Sequence, residues 1–339
     1  MGRSLAVQYR PTDFDSMLGQ RAVIKTLEEQ LKRGRISNCY LFAGPSGDGK
    51  TTISKVLASK INGGRGTPLE IDGASHNGVD AVREIIEDAK NRSIDSEYKI
   101  YIIDECHAIT SAAWSAFLKC LEEPPQFTIF MFCTTNPEKI PEAILNRMMR
   151  FNLSKVDTGL IRDRLRYICQ QEGFTNYEEA CDYLAKLGSG GVRDSIAYLE
   201  KCAAYSTDLS IENVLSCLGN LSYDDLFDLT GALLNQEEGE VLKIIEAYYN
   251  AGSDLKVFLD SYLEFCLDLT KYCLFHDMQM VKIPGSLSPR CEGYSQVPGV
   301  LEFSNNLVDN ILKIKMAVKY DLNPRSTIEA MLIRTCREC

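Results

Sequence analysis

Cys39-Tyr40-Leu41-Phe42-Ala43 runs straight into Gly44-Pro45-Ser46-Gly47-Asp48-Gly49-Lys50-Thr51, and this junction decides the fold of the 339-residue chain. The run before Gly44 is apolar and β-rich, and a helix-period pattern begins near Thr52. Between them lies the spacing G-x-x-x-x-G-K-[ST]. Glycines there let successive backbone N–H groups turn inward around an anion, and the following helix adds the positive end of its dipole. A phosphate fits such a turn. Lys50 would reach the β- and γ-phosphate oxygens, and the Thr51 hydroxyl would hold Mg²⁺. Gly44 through Thr52 are therefore the candidate nucleotide-binding residues, with Lys50 also a candidate catalytic residue. A plain glycine-rich turn can share these letters, but it lacks the strand before and the helix after.

Outward from this junction, Leu69-Glu70-Ile71, Ile100-Tyr101-Ile102-Ile103 and Thr128-Ile129-Phe130-Met131-Phe132-Cys133 are further short β-rich runs, each followed by a helical pattern or a turn. The alternation predicts an α/β P-loop domain, a parallel sheet covered on both faces. The third run ends in Asp104-Glu105. A buried strand thus delivers Asp104 to the phosphate loop as a Mg²⁺ ligand through water, and Glu105 to orient the attacking water. Asp104-Glu105-Cys106-His107 also spells the D-E-x-H box of some helicases. Those enzymes need a second sheet domain with its own arginine motif, which the helical remainder does not supply. His107 is accordingly read as a packing or supporting residue rather than a catalyst.

From about Lys155 the pattern is helical only. The stretch from Gly159 to about Cys217, broken at Gly188-Ser189-Gly190-Gly191, suits a small helical domain. Beyond Gly219, Leu255, Phe258, Leu259, Tyr262, Leu263, Cys266 and Leu269 form one stripe after a Ser253 cap. His276 to Gly299, punctuated by Pro284-Gly285, Ser288-Pro289 and Pro298-Gly299, reads as a long loop, and the last helix is entered through Asn323-Pro324. Three domains are expected, over residues 1–156, 157–218 and 219–339.

Composition removes other classes. Apolar residues are 45% and charged residues 25%, a soluble globular balance without a membrane-length apolar run. The opening Met1-Gly2-Arg3-Ser4-Leu5-Ala6 is too polar for a secretory signal, and Ala6 stands where myristoylation wants Ser or Thr, so a cytoplasmic location is expected. A net charge of −10 argues against wholesale coating of nucleic acid, leaving only local basic patches or helix N-termini for DNA. Of 13 cysteines, most sit singly in apolar stretches, as at Cys39, Cys133, Cys169 and Cys266. The close pair Cys336 and Cys339 has no second pair to complete a zinc site, so no zinc is expected.

Several further stretches carry a resemblance. They are Gln8-Tyr9-Arg10-Pro11 with Leu18-Gly19-Gln20, then Arg33-Gly34-Arg35-Ile36, and Leu118-Lys119-Cys120-Leu121-Glu122-Glu123-Pro124-Pro125, close to L-K-x-L-E-E-P-P. Thr134-Thr135-Asn136-Pro137-Glu138-Lys139 and Gly191-Val192-Arg193-Asp194 complete the set. With the phosphate loop, the sequence resembles the clamp-loader branch of AAA+ ATPases, and within it the bacterial gamma/tau family. The resemblance is strong over residues 5 to 200 and traceable to the end. It implies a RecA-like AAA+ domain, an all-α lid and an all-α collar. It places Val7, Tyr9, Arg10 and Pro11 on the adenine side. Thr135 becomes a sensor of the γ-phosphate or its water, and Arg193 reaches that phosphate from the lid. Asn146-Arg147-Met148 occupies the place of the family's S-R-C, so Arg147 would act in trans on a neighbour's ATP. Such a guanidinium is worth ~10³–10⁵ in rate.

Two departures accompany this match. Ile61 to Pro68 replaces the four-cysteine zinc module of relatives, and the polymerase-binding tail that often follows is not found before Cys339. Both suggest a compact or divergent member. Glu70 to Asn77 resembles the segment lining the family's inner DNA channel, where Ser75 and Asn77 would meet phosphates. Arg83, Lys119 and Lys139 are the expected basic contacts, while His76 and Gly78 replace basic residues of relatives.

The resemblance implies an ATP-driven clamp-loader subunit that opens a sliding clamp and loads it onto primed DNA, hydrolysing ATP with Mg²⁺ at interfaces in a ring of about five subunits. Its expected partners are the clamp, primer–template DNA, other loader subunits and the replicative polymerase, with no membrane. A non-hydrolysing ring subunit and a DNA-remodelling or branch-migration motor are the alternatives. Intact Lys50, Asp104 and Glu105 argue against the first, and a need for a clamp separates the second. The eukaryotic and archaeal small subunits share the role but lack the L-E-E-P-P pattern.

Overall fold

The computed structural model describes residues 4–219, 222–250, 254–321 and 323–338. They form two compact units, Met1–Arg164 with Gly188–Ala197, and Leu165–Leu187 with Tyr198–Cys339. Residues 157–218, expected as a lid domain, are thus divided between the two units.

The first unit is built on strands β1 (Cys39–Ala43), β2 (Leu69–Asp72), β3 (Lys99–Asp104), β4 (Thr128–Thr134) and β5 (Met149–Asn152). All pairings are parallel, in the order β2-β3-β4-β1-β5. Successive side chains alternate between faces, so each central strand feeds both layers. Cys39, Leu41, Tyr101, Ile103, Phe130 and Phe132 pack under α4 (Val79–Ala89), α5 (Ser111–Glu122) and the short α6 (Glu142–Leu145). Tyr40, Phe42, Ile100, Ile102, Ile129 and Met131 pack under α2 (Arg21–Lys32) and α3 (Lys50–Ile61). A four-residue α1 (Leu5–Gln8) precedes them. Burial on both faces explains why these runs are continuously apolar instead of alternating. The edge strand β5 escaped the sequence because it is short, pairs only with β1, and buries only Phe151.

Helices α7 (Thr158–Glu172) and α9 (Val192–Tyr205) begin in the first unit and end in the second, which also contains α8 (Glu178–Leu187) and α10 (Ile211–Leu218). The main core of the second unit comes from α11 (Tyr223–Leu234), α12 (Glu238–Asn250), α13 (Leu255–Phe275), α14 (Ser288–Ser295), α15 (Val300–Val318) and α16 (Pro324–Glu338). The whole predicted stripe from Leu255 to Leu269 is buried. Its expected cap, Ser253, lies outside the described residues. Asp254 caps α13, its carboxylate accepting from the Lys256 N–H at 2.8 Å. The expected loop from His276 to Gly299 instead contains α14 and two 3-10 turns. Pro289 stands in the first turn of α14, where its missing N–H costs nothing, so Ser288-Pro289 starts a helix instead of excluding one.

Cys39, Cys133, Cys169 and Cys266 are buried, and burial pushes the Cys133 thiol up to about 12. Cys169 and Cys181, on two neighbouring helices, bring their sulfurs within 3.7 Å. Cys339 lies outside the described residues. Among the described residues, no group of three or more His, Cys, Asp or Glu is placed to hold a metal, and no helix is long and apolar enough to cross a membrane.

Candidate functional site

The loop between β1 and α3 is shaped by contacts that leave no room for side chains. A Cβ on Gly44 would lie 2.7 Å from the Leu153 carbonyl oxygen, and one on Gly47 would lie 3.0 Å from Gly191 Cα. Gly47 and Gly49 also take φ of 80° and 93°, the left-handed region that glycine enters without strain. Lys50 is buried, and its ammonium donates to the carbonyls of Gly44 at 2.9 Å and Pro45 at 2.6 Å. The positive end of the lysine is therefore fixed over the loop, at the N-terminus of α3.

The end of β3 meets this loop. The Thr51 hydroxyl donates to Asp104 Oδ2 at 2.6 Å, and the Glu105 N–H donates to Asp104 Oδ1 at 2.9 Å. A hydroxyl beside a carboxylate is a hard oxygen donor set suited to Mg²⁺. Glu105 has φ of 46°, a non-glycine residue in left-handed backbone, which costs on the order of 1–3 kcal/mol. The turn swings its carboxylate out of the strand toward His107 and Thr135. His107 Nδ1 lies 3.2 Å from Glu105 Oε2, and the Thr135 hydroxyl is 3.5 Å from the same oxygen. The Thr135 hydroxyl also donates to Asn136 Oδ1 at 2.8 Å. His107, expected as a supporting residue, thus touches the candidate catalytic carboxylate.

A single cavity of the first unit gathers most of the sequence candidates. Its walls include Tyr9, Arg10, Pro11, Ser46 through Thr52, Asp104, Glu105 and Arg193. Gly44 and Pro45 stand behind it as acceptors for Lys50. Thr135 is reached only through Glu105. Val7 does not line the cavity: it is 49% exposed, and its neighbour Ala6 forms the wall instead. Adjacent residues of the short α1 point in different directions, so only one of the two lines the wall.

Sequence reasoning also missed Met17, Arg164 and Ile196 in the walls. Arg164 carries no motif, and its Nη2 donates to the Ser16 carbonyl at 2.5 Å. The quoted Leu18-Gly19-Gln20 offered a signal for its neighbour Met17: Gln20 is tied to Ser154 by bonds of 2.6 and 3.2 Å, fixing this segment beside the exit of β5.

Two groups of candidates lie elsewhere. Arg147 follows α6 and forms an ion pair with Glu122 Oε1 at 2.5 Å, while also donating to the Ala143 carbonyl. Of the DNA candidates, Ser75, Asn77, Arg83, Lys119 and Lys139 are all exposed. Ser75 donates to Asp72 at 2.6 Å, and Arg83 lies 3.5 Å from Asp80. Helices α4 and α5, which carry Arg83 and Lys119, pack against each other. No hydrogen bond or ion pair among those described joins the five residues.

Residues 67–157 match the family described as DNA polymerase III, delta subunit, and residues 209–338 match DNA polymerase III subunits gamma and tau domain III. The chain is 29% identical to DNA polymerase III subunit tau of Bacillus subtilis, over 97% of this chain and 62% of that protein. It is 31% identical to subunit tau of Escherichia coli over 75% of this chain and 43% of that one. For subunit tau/gamma of Haemophilus influenzae the identity is 34%, over 74% and 40%. The chain therefore spans between 40% and 62% of the length of these relatives. Among solved structures, the Thermotoga maritima RuvB Holliday junction branch migration motor superimposes with a TM-score of 0.52 at 19% identity, over 66% of this chain and 79% of that one. At that identity the likeness concerns the fold alone. An AAA+ fold with a phosphate loop, followed by a helical region that matches domain III, makes this chain a relative of the DNA polymerase III gamma/tau subunits.

Proposed function

We propose that this chain is an ATP-hydrolysing motor subunit of a sliding-clamp loader. The observation that carries the proposal is the 2.6 Å bond between the Thr51 hydroxyl and Asp104 inside a glycine-walled cavity that also holds Lys50, Glu105 and Arg193. Lys50 and Arg193 supply positive charge for the phosphates, and Thr51 with Asp104 supplies the donors for Mg²⁺. A magnesium ion held there would neutralise phosphate charge. Glu105, oriented by His107 and Thr135, is the group that accepts a hydrogen bond from the attacking water. Tyr9, Arg10 and Pro11 face the base side.

Arg147 lies outside the cavity, which supports a role on a neighbouring subunit's nucleotide. The ring of homologous subunits, the clamp, primer–template DNA and the division into ATPase, lid and collar all belong to the same proposal. Ser75, Asn77, Arg83, Lys119 and Lys139 are its DNA contacts; replacing Arg83, Lys119 and Lys139 together should reduce the salt dependence of DNA binding, and an unchanged slope removes them.

Steady-state ATP turnover is the test, without DNA, with primed template and with blunt duplex. Stimulation by primed template that is lost in Arg147→Ala supports the motor. Turnover indifferent to DNA structure and to Arg147 sinks it, and favours another AAA+ role.

A further inference from the structure

Asp48 is an acid within the phosphate loop itself and belongs to the wall of the same cavity. Its side chain is 3% exposed, and neither carboxylate oxygen has a hydrogen-bond partner among the described residues. The charged groups that act on it are Lys50 from α3, Lys155 from the segment after β5, and Asp194 from α9. The two lysines favour its ionised form, while burial and Asp194 oppose it. Burial is the larger effect and pushes the Asp48 carboxyl up to about 6.

A buried carboxylate without donors is unfavourable on its own account. The arrival of phosphate oxygens makes it worse in two ways: it adds negative charge nearby, and it engages Lys50, the stronger of the two positive charges that temper Asp48. A protonated carboxyl removes the repulsion and turns one oxygen into a donor. We propose that nucleotide enters this site together with a proton taken from solvent and carried on Asp48. The proposal rests on the nucleotide-site reading above. It is a property of this loop's own residue, since the spacing G-x-x-x-x-G-K-[ST] does not require an acid at that position.

The sign follows from linkage. If the bound state holds the proton more tightly than the free state, affinity is greatest at low pH and falls as pH rises through the bound-state pKa. The test is calorimetric titration of the native chain with MgADP at pH 7.5, in HEPES and in Tris, whose ionisation heats differ. The expected result is uptake on the order of half to one proton per nucleotide. Asp48→Asn, which keeps the shape and cannot ionise, should show none beyond the nucleotide's own. Between pH 6.5 and 8.5 the native affinity should weaken by up to about tenfold per pH unit relative to the variant. Binding without proton uptake in the native chain, or equal uptake in both chains, overturns the proposal and leaves the nucleotide site standing. No MgADP binding at any pH overturns both. The native-chain measurement stands even if the variant fails to fold.

Discussion

Two regions of the first unit treat their charged residues differently. At the phosphate loop, Lys50, Thr51, Asp104 and Glu105 converge on one cavity, with Thr51 bonded to Asp104 at 2.6 Å and Lys50 held by the carbonyls of Gly44 and Pro45. At the α5–α6 rim, Arg147 is partly exposed and held by Glu122 of its own chain. The first arrangement is preorganised for a ligand brought to this chain, where donors aimed in advance need little reorganisation. In the second, a long cation is held ready by an exposed ion pair that is cheap to break. On the proposed reading, a group that reaches for a neighbour's nucleotide is served by such a weak hold. Lys50, by contrast, is held in place by burial.

The sharpest way to break this contrast is Arg147→Ala. If the rim serves a neighbour's site, turnover of the assembled ring should fall by ~10³–10⁵ while nucleotide affinity of the single chain stays the same. A matching loss of affinity would place Arg147 in its own chain's site and abolish the distinction. Glu105→Gln should cost ~10²–10⁴ in turnover with binding retained, the size of a lost general base. A variant that also lost affinity would make Glu105 a binding group instead.

Smaller effects sharpen the picture. Because the folded-state value of Asp48 lies above its ordinary 3.8, the native fold binds that proton more tightly than the unfolded chain. Its ionisation therefore subtracts stability as pH rises from about 4 through about 6, and not below. Asp48→Asn should stabilise the nucleotide-free chain by about 1–3 kcal/mol at pH 7.5 and hardly at all at pH 4. Urea unfolding at the two pH values measures this, and an equal gain at both would point to packing rather than charge. Glu122→Gln should change stability by less than ~1 kcal/mol, as expected for an exposed ion pair. Its effect should appear instead as a small change in turnover that vanishes once Arg147 is alanine, read from a double-mutant cycle.

The central strands, the phosphate loop and the Asp104-Glu105 pair were legible because each is a local pattern. A strand buried on both faces must be apolar along its length, and a loop that wraps phosphate must carry glycine at fixed spacing. The stripe on α13 was legible for the same reason. The edge strand β5 was not, since one buried residue leaves no period, and α14 was hidden by a proline that opens helices as readily as it ends them. At the cavity, Ala6 lines the wall beside the expected Val7, and Arg164 entered from a helix with no motif of its own.

By itself, then, the sequence determined the sheet-forming runs, the phosphate loop and the family, because backbone geometry and binary pattern are written over a few consecutive residues. Tertiary structure alone decided that Thr51 would meet Asp104, that Glu105 would rest between His107 and Thr135, and that Arg147 would pair with Glu122. It also left the oxygens of Asp48 without a hydrogen-bond partner among the described residues. Those residues are brought together by strand order and by the packing of helices on the sheet. No local spacing encodes such distances, because they arise only when distant segments share one core.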